Sequence, residues 1–329
     1  MKFLVIGLGS MGRRRIRCLQ ALGYKDIVGI DPRNDRRSES LSNYSIDSYS
    51  TISDINVSDF DIMIISTPPD IHKTYLKIAI KYNKPTFVEA GVILDDAITI
   101  LNTNRNDTYI APSCTLKFHP LIKDLKHLIN SKKYGKLSNF TYHSGNYLPD
   151  WHPWEKVSDF YVSNRITGGA REIVPFELTW LIDIFENPID LKAYFQKTIN
   201  MGADIEDTYL FQLKFVEGLG SVIIDVTSRF STRSLIVNLE EAQIRWNWEE
   251  NKLKVYEAEN RRWVEYYQYT GEAEKGYNKN IIEQMYIDEI AAFLLGISDK
   301  SKFPNSLNDD VKILKILEKI EKSDGGFSR

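Results

Sequence analysis

The stretch that decides the fold is KFLVIGLGSMG, residues 2–12. The apolar run Lys2–Ile6 ends at a glycine, which is typical of a buried parallel strand. A helix is predicted directly afterwards, over Met11–Leu22. In a GxGxxG motif, the first glycine permits the tight turn, the second lets the backbone approach a pyrophosphate, and the third lets helix and strand pack closely. The stretch therefore predicts a dinucleotide-binding loop, with the amino-terminal N–H groups of the helix directed at the phosphates.

Asp31 lies 19 residues after Gly12, at the end of the second predicted strand, Asp26–Asp31. A carboxylate there can accept hydrogen bonds from the adenosine ribose hydroxyls, and it repels a 2′-phosphate. We therefore expect NAD as the cofactor. Three arginines follow in the sequence and could instead bind the 2′-phosphate of NADP, or simply lie in a solvated loop: Arg33, Arg36 and Arg37.

Strand and helix signals alternate through the first third of the chain. A helix to about Tyr82 is predicted to begin with Asp70 as its N-cap. Further strands are predicted at Asp61–Thr67, Pro85–Glu89 and Tyr109–Leu116. Strands separated by helices imply right-handed crossovers and a parallel sheet covered on both faces.

Beyond Pro120 the pattern changes to strands separated by short turns, many alternating polar and apolar residues in period two. A helix over Pro120–Asn130 precedes these strands, and helices near 281–295 and 308–321 follow them. The strand-like segments are Leu137–Ser144, Leu191–Ile199, Thr208–Phe215, Ser221–Arg229, Ser234–Leu239, Ala242–Trp248, Lys252–Glu257 and Arg262–Tyr269. The predicted fold class is an α/β Rossmann domain, residues 1–119, followed by an α+β domain with a large, mostly antiparallel sheet, residues 120–329.

Composition excludes several classes of partner. The 329 residues include 42 basic and 45 acidic side chains, without the basic excess typical of nucleic-acid-binding proteins. No apolar stretch approaches the ~20 residues needed to cross a bilayer. The amino-terminal apolar run gives way to glycines and arginines rather than to a signal-peptide cleavage site. Two cysteines do not form a disulfide framework, so we expect reduced thiols and a cytoplasmic protein with neither a nucleic-acid nor a membrane partner.

Several motifs occur in the order typical of the Gfo/Idh/MocA family, the glucose–fructose oxidoreductase and inositol dehydrogenase group, and the chain resembles that family over nearly its whole length. Besides the glycine motif these are SerThrProPro at 66–69 with His72, Val88-Glu89, LysPheHisPro at 117–120, GlyLysLeu at 135–137 and GluAspThr at 206–208. The resemblance implies NAD(P)-dependent oxidation or reduction of a sugar-like alcohol or ketone. It also implies a substrate-binding and oligomerisation domain after the Rossmann domain, and a homodimer or homotetramer.

The glycine motif and the resemblance together assign a cofactor-binding set. For His72, capping of local backbone is an equally good interpretation. The set is Gly7, Leu8, Gly9, Ser10, Met11, Gly12, Asp31, Arg33, Ser66, Thr67, Pro68, His72, Glu89 and Lys117.

Two positions depart from the family pattern. The family usually has Glu-Lys-Pro where this chain has Glu89-Ala90-Gly91, and Asp-x-x-x-His where this chain has Glu172 and Phe176. Neither alanine nor phenylalanine exchanges protons, yet oxidation of an alcohol must release its hydroxyl proton. Another residue could act instead, the protein could be a catalytically degenerate dinucleotide- or sugar-binding or regulatory protein, or the alignment could be shifted.

Lys117 is the main candidate for a replacement acid/base, with cofactor positioning or a surface location as the alternative. His152 is a second candidate, with a structural or exposed location as the alternative. The aromatic segment Tyr147–Trp154 resembles that of members thought to act on sugars or sugar nucleotides, and its rings could stack on sugar C–H faces. The predicted substrate-binding residues are Tyr147, Asp150, Trp151, Arg171, Glu172 and Phe176. For Arg171, a salt bridge to Glu172 or another acid is the alternative to a substrate anion. His and Cys residues show no metal-ligand spacing, so no metal site is expected.

Overall fold

The computed structural model describes residues 1–151, 156–268 and 282–323. Within the described residues the chain divides into two compact units. The first unit is Met1–Phe118 with Gln284–Lys312, and the second is His119–Glu283 with Ile313–Arg329. The first unit thus includes residues 284–312, which the sequence analysis assigned to the second domain.

The first unit is built on a six-stranded sheet in which all neighbouring strands are parallel, in the order β3-β2-β1-β4-β5-β6. Its strands are β1 (Phe3–Ile6), β2 (Ile27–Ile30), β3 (Asp47–Tyr49), β4 (Ile62–Ile65), β5 (Thr86–Val88) and β6 (Ile110–Pro112). Its helices are α1 (Ser10–Ala21), α2 (Asn34–Tyr44), α3 (His72–Lys81) and α4 (Leu94–Thr103). All four residues of β1 and of β4 are buried, as expected for central strands covered on both faces.

Three features of the first unit differ from the prediction. Asp70 does not cap α3, because it lies in a 3₁₀ turn, Pro69–Ile71, and the helix follows from Ile71 without a side-chain cap. The predicted strand Tyr109–Leu116 ends at Pro112, and Lys117 lies in a 3₁₀ turn, Thr115–Phe118. Beyond Pro112 the chain leaves the sheet, and the Cys114 amide donates a hydrogen bond to the Glu289 carboxylate instead.

The second unit is built on an eight-stranded sheet in the order β14-β13-β12-β11-β7-β10-β9-β8. Its pairs are antiparallel except for β7 with β10, which are parallel. Its strands are β7 (Leu137–Tyr147), β8 (Asp190–Gln196), β9 (Thr208–Lys214), β10 (Leu219–Asp225), β11 (Thr227–Leu239), β12 (Ala242–Asn247), β13 (Lys252–Glu257) and β14 (Arg262–Gln268). Its helices α5 (Pro120–Asn130) and α6 (Ala170–Phe185) precede β8.

Aromatic residues form much of the contact between α6 and this sheet. Phe185 stacks on Phe140 with ring centroids 4.1 Å apart, and Trp180 meets Tyr142 edge-on at 5.1 Å. Trp180 also packs edge-on against Trp246. The strands of the second unit therefore hold part of the chain's aromatic residues, which make up 12% of the sequence.

Two helices complete the described chain, α7 (Glu283–Gly296) and α8 (Leu307–Ser323). The residues of α8 up to Lys312 belong to the first unit, and Leu307 packs into its core cluster with Leu76 and Val88. Among the described helices, none combines the length and the apolar character that a membrane span requires.

Candidate functional site

The glycine loop lies between β1 and α1, and each glycine meets a different constraint. Gly7 has φ +90°, and a Cβ there would lie 2.4 Å from the Ser66 carbonyl oxygen. A Cβ at Gly12 would lie 1.8 Å from the Gly7 carbonyl oxygen. At Gly9 the nearest group to an added Cβ is the tip of the flexible Arg36 side chain, 3.5 Å away. Packing within the protein therefore requires Gly7 and Gly12, while the Gly9 backbone remains open for close approach by a phosphate.

Asp31 follows β2 and is almost fully buried, 2% exposed. Its Oδ2 accepts a hydrogen bond from the Leu8 amide at 2.8 Å, and its Oδ1 accepts one from the Arg33 amide at 2.9 Å. The carboxylate thus ties the glycine loop to the end of β2, at the place where the ribose of a dinucleotide would lie.

The arginines after Asp31 are held by protein groups. Arg33 pairs with Asp35, and Arg37 Nη1 donates to the carbonyl oxygens of Asp31 and Pro32. Arg36 Nη1 lies 3.5 Å from Asp31 Oδ2. A 2′-phosphate would compete with these partners and would face the Asp31 carboxylate, so the geometry favours NAD over NADP.

The turn after β4 carries the next predicted cofactor residues. His72 is buried, and its Nε2 donates to the Thr67 carbonyl oxygen at 2.8 Å. Burial lowers the pKa of His72, so the neutral ring with its proton on Nε2 makes this bond. His72 therefore does cap local backbone. The Thr67 hydroxyl is buried and has no partner within the described residues, which fits a site completed by a bound polar ligand.

Glu89 belongs to an ionic cluster that sequence reasoning missed. Arg15, fully buried in α1, donates from Nε and Nη2 to the two Glu89 carboxylate oxygens at 2.7 and 2.8 Å. Its Nη1 donates to Glu289 Oε2 at 2.8 Å. Ser66 Oγ also donates to Glu89 Oε1 at 3.1 Å. Burial alone would lower the pKa of Arg15, but the two carboxylates raise it well above the usual value, so the guanidinium stays charged.

Lys117, in its 3₁₀ turn, donates from Nζ to the Pro304 carbonyl oxygen at 3.0 Å. The structure thus places its ammonium against the segment that leads into α8. Ser10, Met11 and Pro68 lie on the same two turns as the other predicted cofactor residues, at the start of α1 and after β4.

In the second unit, the predicted substrate residues lie at the end of β7 and the start of α6. Tyr147 ends β7, and the Arg229 guanidinium lies 3.7 Å from its ring centroid. Asp150 is exposed in the following 3₁₀ turn, and Trp151 is half-buried directly after it. His152 lies outside the described residues, as does Trp154.

Arg171 and Glu172 occupy the first turn of α6. Arg171 Nε donates to Glu321 Oε1 at 2.7 Å, so its partner is an acid, though not Glu172. Glu172 Oε1 accepts a hydrogen bond from the Tyr161 hydroxyl at 2.7 Å, while its Oε2 is buried without a partner in the described chain. Burial raises the pKa of Glu172 to about 7, against the opposing effect of the Tyr161 hydrogen bond.

Phe176 lies one turn further along α6, half-buried, and the Arg233 guanidinium is 6.0 Å from its ring centroid. Arg233 is held by Glu177, which also accepts hydrogen bonds from Tyr142, Ser144 and Trp180. Four donors on one buried carboxylate make this a fixed support for the helix. No group of three or more His, Cys, Asp or Glu residues in the described chain could hold a metal ion.

Comparison with known proteins agrees with this geometry. Residues 1–103 match the model of the GFO_IDH_MocA oxidoreductase family, described as having an NAD-binding Rossmann fold. This match confirms the resemblance noted in the sequence and the expected NAD-binding unit. A search of curated proteins found no match.

Solved structures share the architecture over nearly the whole chain. An oxidoreductase from Agrobacterium radiobacter, solved with NAD⁺, L-tartaric acid and magnesium, is 15% identical, with a TM-score of 0.83 over 100% of this chain and 97% of that chain. A levoglucosan dehydrogenase complex with NADH and levoglucosan is 15% identical, with a TM-score of 0.81 over 99% and 97%. GenD2 from gentamicin A biosynthesis, in complex with NAD, is 12% identical, with a TM-score of 0.79 over 100% and 95%. At these identities the likeness establishes the shared fold, and it confirms the predicted fold class.

Proposed function

We propose that this chain, whose residues 1–103 belong to the Gfo/Idh/MocA oxidoreductase family, is an NAD-dependent oxidoreductase acting on a hydroxyl or keto group of a sugar or sugar nucleotide. The observation that carries the proposal is the glycine loop. Its Gly9 backbone is open to a phosphate, and Asp31 beside it favours a ribose hydroxyl over a 2′-phosphate. The buried Thr67 hydroxyl, for which the described residues offer no hydrogen-bond partner, supports the same site.

Bound NAD would supply the acceptor or donor for a hydride. The chain's own residues would bind and orient the reactants. Gly7, Gly9, Ser10 and Gly12 would bring backbone N–H groups to the phosphates, and Asp31 would accept from the ribose.

The substrate class rests on the aromatic and carboxylate groups at the start of α6 and the end of β7. Tyr147 and Trp151 offer ring faces for the C–H faces of a sugar, and Asp150 and Glu172 offer acceptors for its hydroxyls. Glu172 suits this role because one of its oxygens has no partner in the described chain. Arg171 would bind a substrate anion only by sharing its guanidinium with Glu321. One of the similar structures is a levoglucosan dehydrogenase in complex with NADH and levoglucosan.

Ala90 and Phe176 support a second candidate function, a protein that binds dinucleotide and sugar without chemistry. On the sequence evidence, Lys117 and His152 are the candidates for the acid/base group of the enzyme. From the sequence and its family resemblance, we also propose that the protein is cytoplasmic and that it forms a homodimer or homotetramer.

One experiment separates enzyme from binder. Protein loaded with NAD⁺ is mixed with a panel of sugars and sugar nucleotides, and NADH fluorescence is followed; the reverse direction uses NADH with keto derivatives. An enzyme changes the redox state of the dinucleotide with at least one panel member. Binding of dinucleotide with no redox change across both directions of the panel would favour the binding protein.

A further inference from the structure

Position 90 leaves the proposed oxidoreductase without a proton-exchanging side chain after β5, but a carboxyl group from elsewhere in the chain lies beside the next residue, Gly91. A Cβ added at Gly91 would lie 3.5 Å from Asp310 Oδ2. Asp310 is only 8% exposed and belongs to the first unit, like Gly91. The turn after β5 thus has glycine where a larger side chain would reach this carboxylate.

The segment that carries Asp310 is fixed to the carboxyl ends of the sheet strands. Asn305 Nδ2 donates to the carbonyl oxygen of Pro112, the last residue of β6, at 3.1 Å. Val88 at the end of β5 pairs with Pro112. Lys117 holds the Pro304 carbonyl oxygen from the turn after β6. Residues 304–310 therefore run along the edge of an open α/β sheet at which ligands bind.

A second observation at this edge also indicates a ligand. Asn305 is 4% exposed, and its Oδ1 is buried with no hydrogen-bond partner in the described part of the chain. A buried amide oxygen without a donor is rare in folded proteins and is commonly completed by water or a ligand. Asn305 and Asp310 thus place an unsatisfied acceptor and a carboxyl group over two neighbouring strand ends.

We propose that Asp310, rather than Lys117 or His152, is the catalytic acid/base of this protein, placed beside the nicotinamide and the reacting carbinol. This inference rests on the oxidoreductase function proposed above. In the oxidation direction the carbinol C–H bond breaks, and bound NAD⁺ would take up the hydrogen together with the bonding electron pair, as a hydride. The hydroxyl O–H bond breaks as the carbonyl forms, and its proton passes to the Asp310 carboxylate and then to water. Reduction runs the same steps in reverse.

The charges around Asp310 suit proton exchange near neutral pH. Burial, followed by the neighbouring Asp309 charge, raises the pKa of Asp310 to about 7. Asp309 itself is held by Ser306 and Lys312. In the turns that follow β5 and β6, Glu89 is held by Arg15, and Lys117 by the Pro304 carbonyl oxygen. A general acid/base works best when its pKa lies near the operating pH.

The test uses dinucleotide binding, which needs no knowledge of the substrate. Calorimetric titrations measure the Kd of NAD⁺ and of NADH from about pH 5.5 to 8.5 for the wild type, Asp310→Asn and the matched control Asp309→Asn. NAD⁺ carries a positive nicotinamide ring and NADH does not. Deprotonation of Asp310 beside that ring should tighten NAD⁺ binding about tenfold across this range and leave NADH nearly unchanged. This increase in NAD⁺ affinity with pH should vanish in Asp310→Asn and persist in Asp309→Asn.

The outcomes distinguish the two proposals. If dinucleotides bind and Asp310→Asn keeps the wild-type pH profile, Asp310 does not lie beside the nicotinamide, and only this inference is overturned. If no dinucleotide binds the wild type, the oxidoreductase proposal falls and the inference with it. Once a substrate is identified, Asp310→Asn should lower kcat about 100-fold or more with little change in KM. Unchanged kcat would also exclude Asp310 as the acid/base.

Discussion

At the scale of single residues, two carboxyl groups of the described chain lie where burial favours their protonated form. Asp310 in the first unit and Glu172 in the second both have a pKa raised to about 7, and burial is the main cause in each. Asp31 and Glu177 are also buried, and each accepts hydrogen bonds from two or more protein donors. Raised pKa values of this kind cluster at sites where protons are exchanged.

The Asp310 carboxyl should make stability depend on pH. Its folded-state pKa is about 7, above the unfolded value, so the native state binds more protons between about pH 4 and 7. Its contribution to the free energy of unfolding therefore falls as pH rises through that window. Asp310→Asn, which carries no charge, should be more stable than the wild type at about pH 8 by on the order of 2–4 kcal/mol. Urea unfolding at a series of pH values measures this difference, which should disappear near pH 4.

Asp309→Asn is the control variant, and its effect on the free energy of unfolding at neutral pH should have the opposite sign. Its neighbours Lys312 and Ser306 lower the pKa of Asp309 despite its partial burial. Its carboxylate should therefore stabilise the fold at neutral pH and lose that effect as pH falls. If Asp310→Asn were less stable than the wild type at about pH 8, burial would not destabilise the charged Asp310 carboxylate as described.

The sequence indicated some of these residues and not others, for identifiable physical reasons. Asp31 follows the glycine motif at a spacing set by the βαβ unit, so local sequence is enough to find it. Arg15 lies among four arginines between 13 and 17, and only the packing of α1 decides which of them meets buried carboxylates. Asp310 reaches Gly91 from far along the chain, and no local pattern records that contact.

At the scale of elements, the strand–loop–helix unit β1–α1 contains one glycine that folding requires, Gly12, and one that we assign to dinucleotide binding, Gly9. A Cβ at Gly12 would overlap the Gly7 carbonyl oxygen, so Gly12→Ala should destabilise the protein by several kcal/mol, on the order of 2–4. Gly9 already has an ordinary negative φ of −69°, and its added Cβ meets only Arg36. Gly9→Ala should therefore keep most of the stability while weakening NADH binding at least about tenfold.

Chemical denaturation and NADH titration of the two variants check this pair. Equal losses of stability in both variants, or wild-type NADH affinity in Gly9→Ala, would contradict the assignment of Gly9 to phosphate contact.

The elements themselves were largely predictable, because the strands of the first unit are short apolar runs and those of the second alternate with period two. The predicted end of the sixth strand was wrong because the backbone there hydrogen-bonds to a residue far away in the sequence. Pro112 ends β6 early, and the Cys114 amide turns to Glu289 on α7. The strand β3 and the helix α2 carry few apolar residues and were not predicted. The helix α4 was also not predicted, although its sequence is amphipathic.

At the scale of the whole molecule, the chain comprises two compact units that are not simply its first and second parts. Residues 284–312 return to the first unit, where Glu289 binds Arg15 and Asp310 lies beside Gly91. The proposed cofactor unit thus depends on residues from both ends of the chain. A truncation before 284 would remove Glu289, one of the two carboxylate partners of the buried Arg15.

The central claim, that this protein works with NAD, is tested most directly by thermal unfolding with NADH and with NADPH at equal concentrations. A ligand that binds only the native state stabilises it by about 2.7 kcal/mol at 100 times its Kd. NADH should therefore raise the Tm by several degrees. NADPH should raise it far less, because its 2′-phosphate faces Asp31. A Tm unchanged by both dinucleotides, or raised more by NADPH than by NADH, would contradict the account.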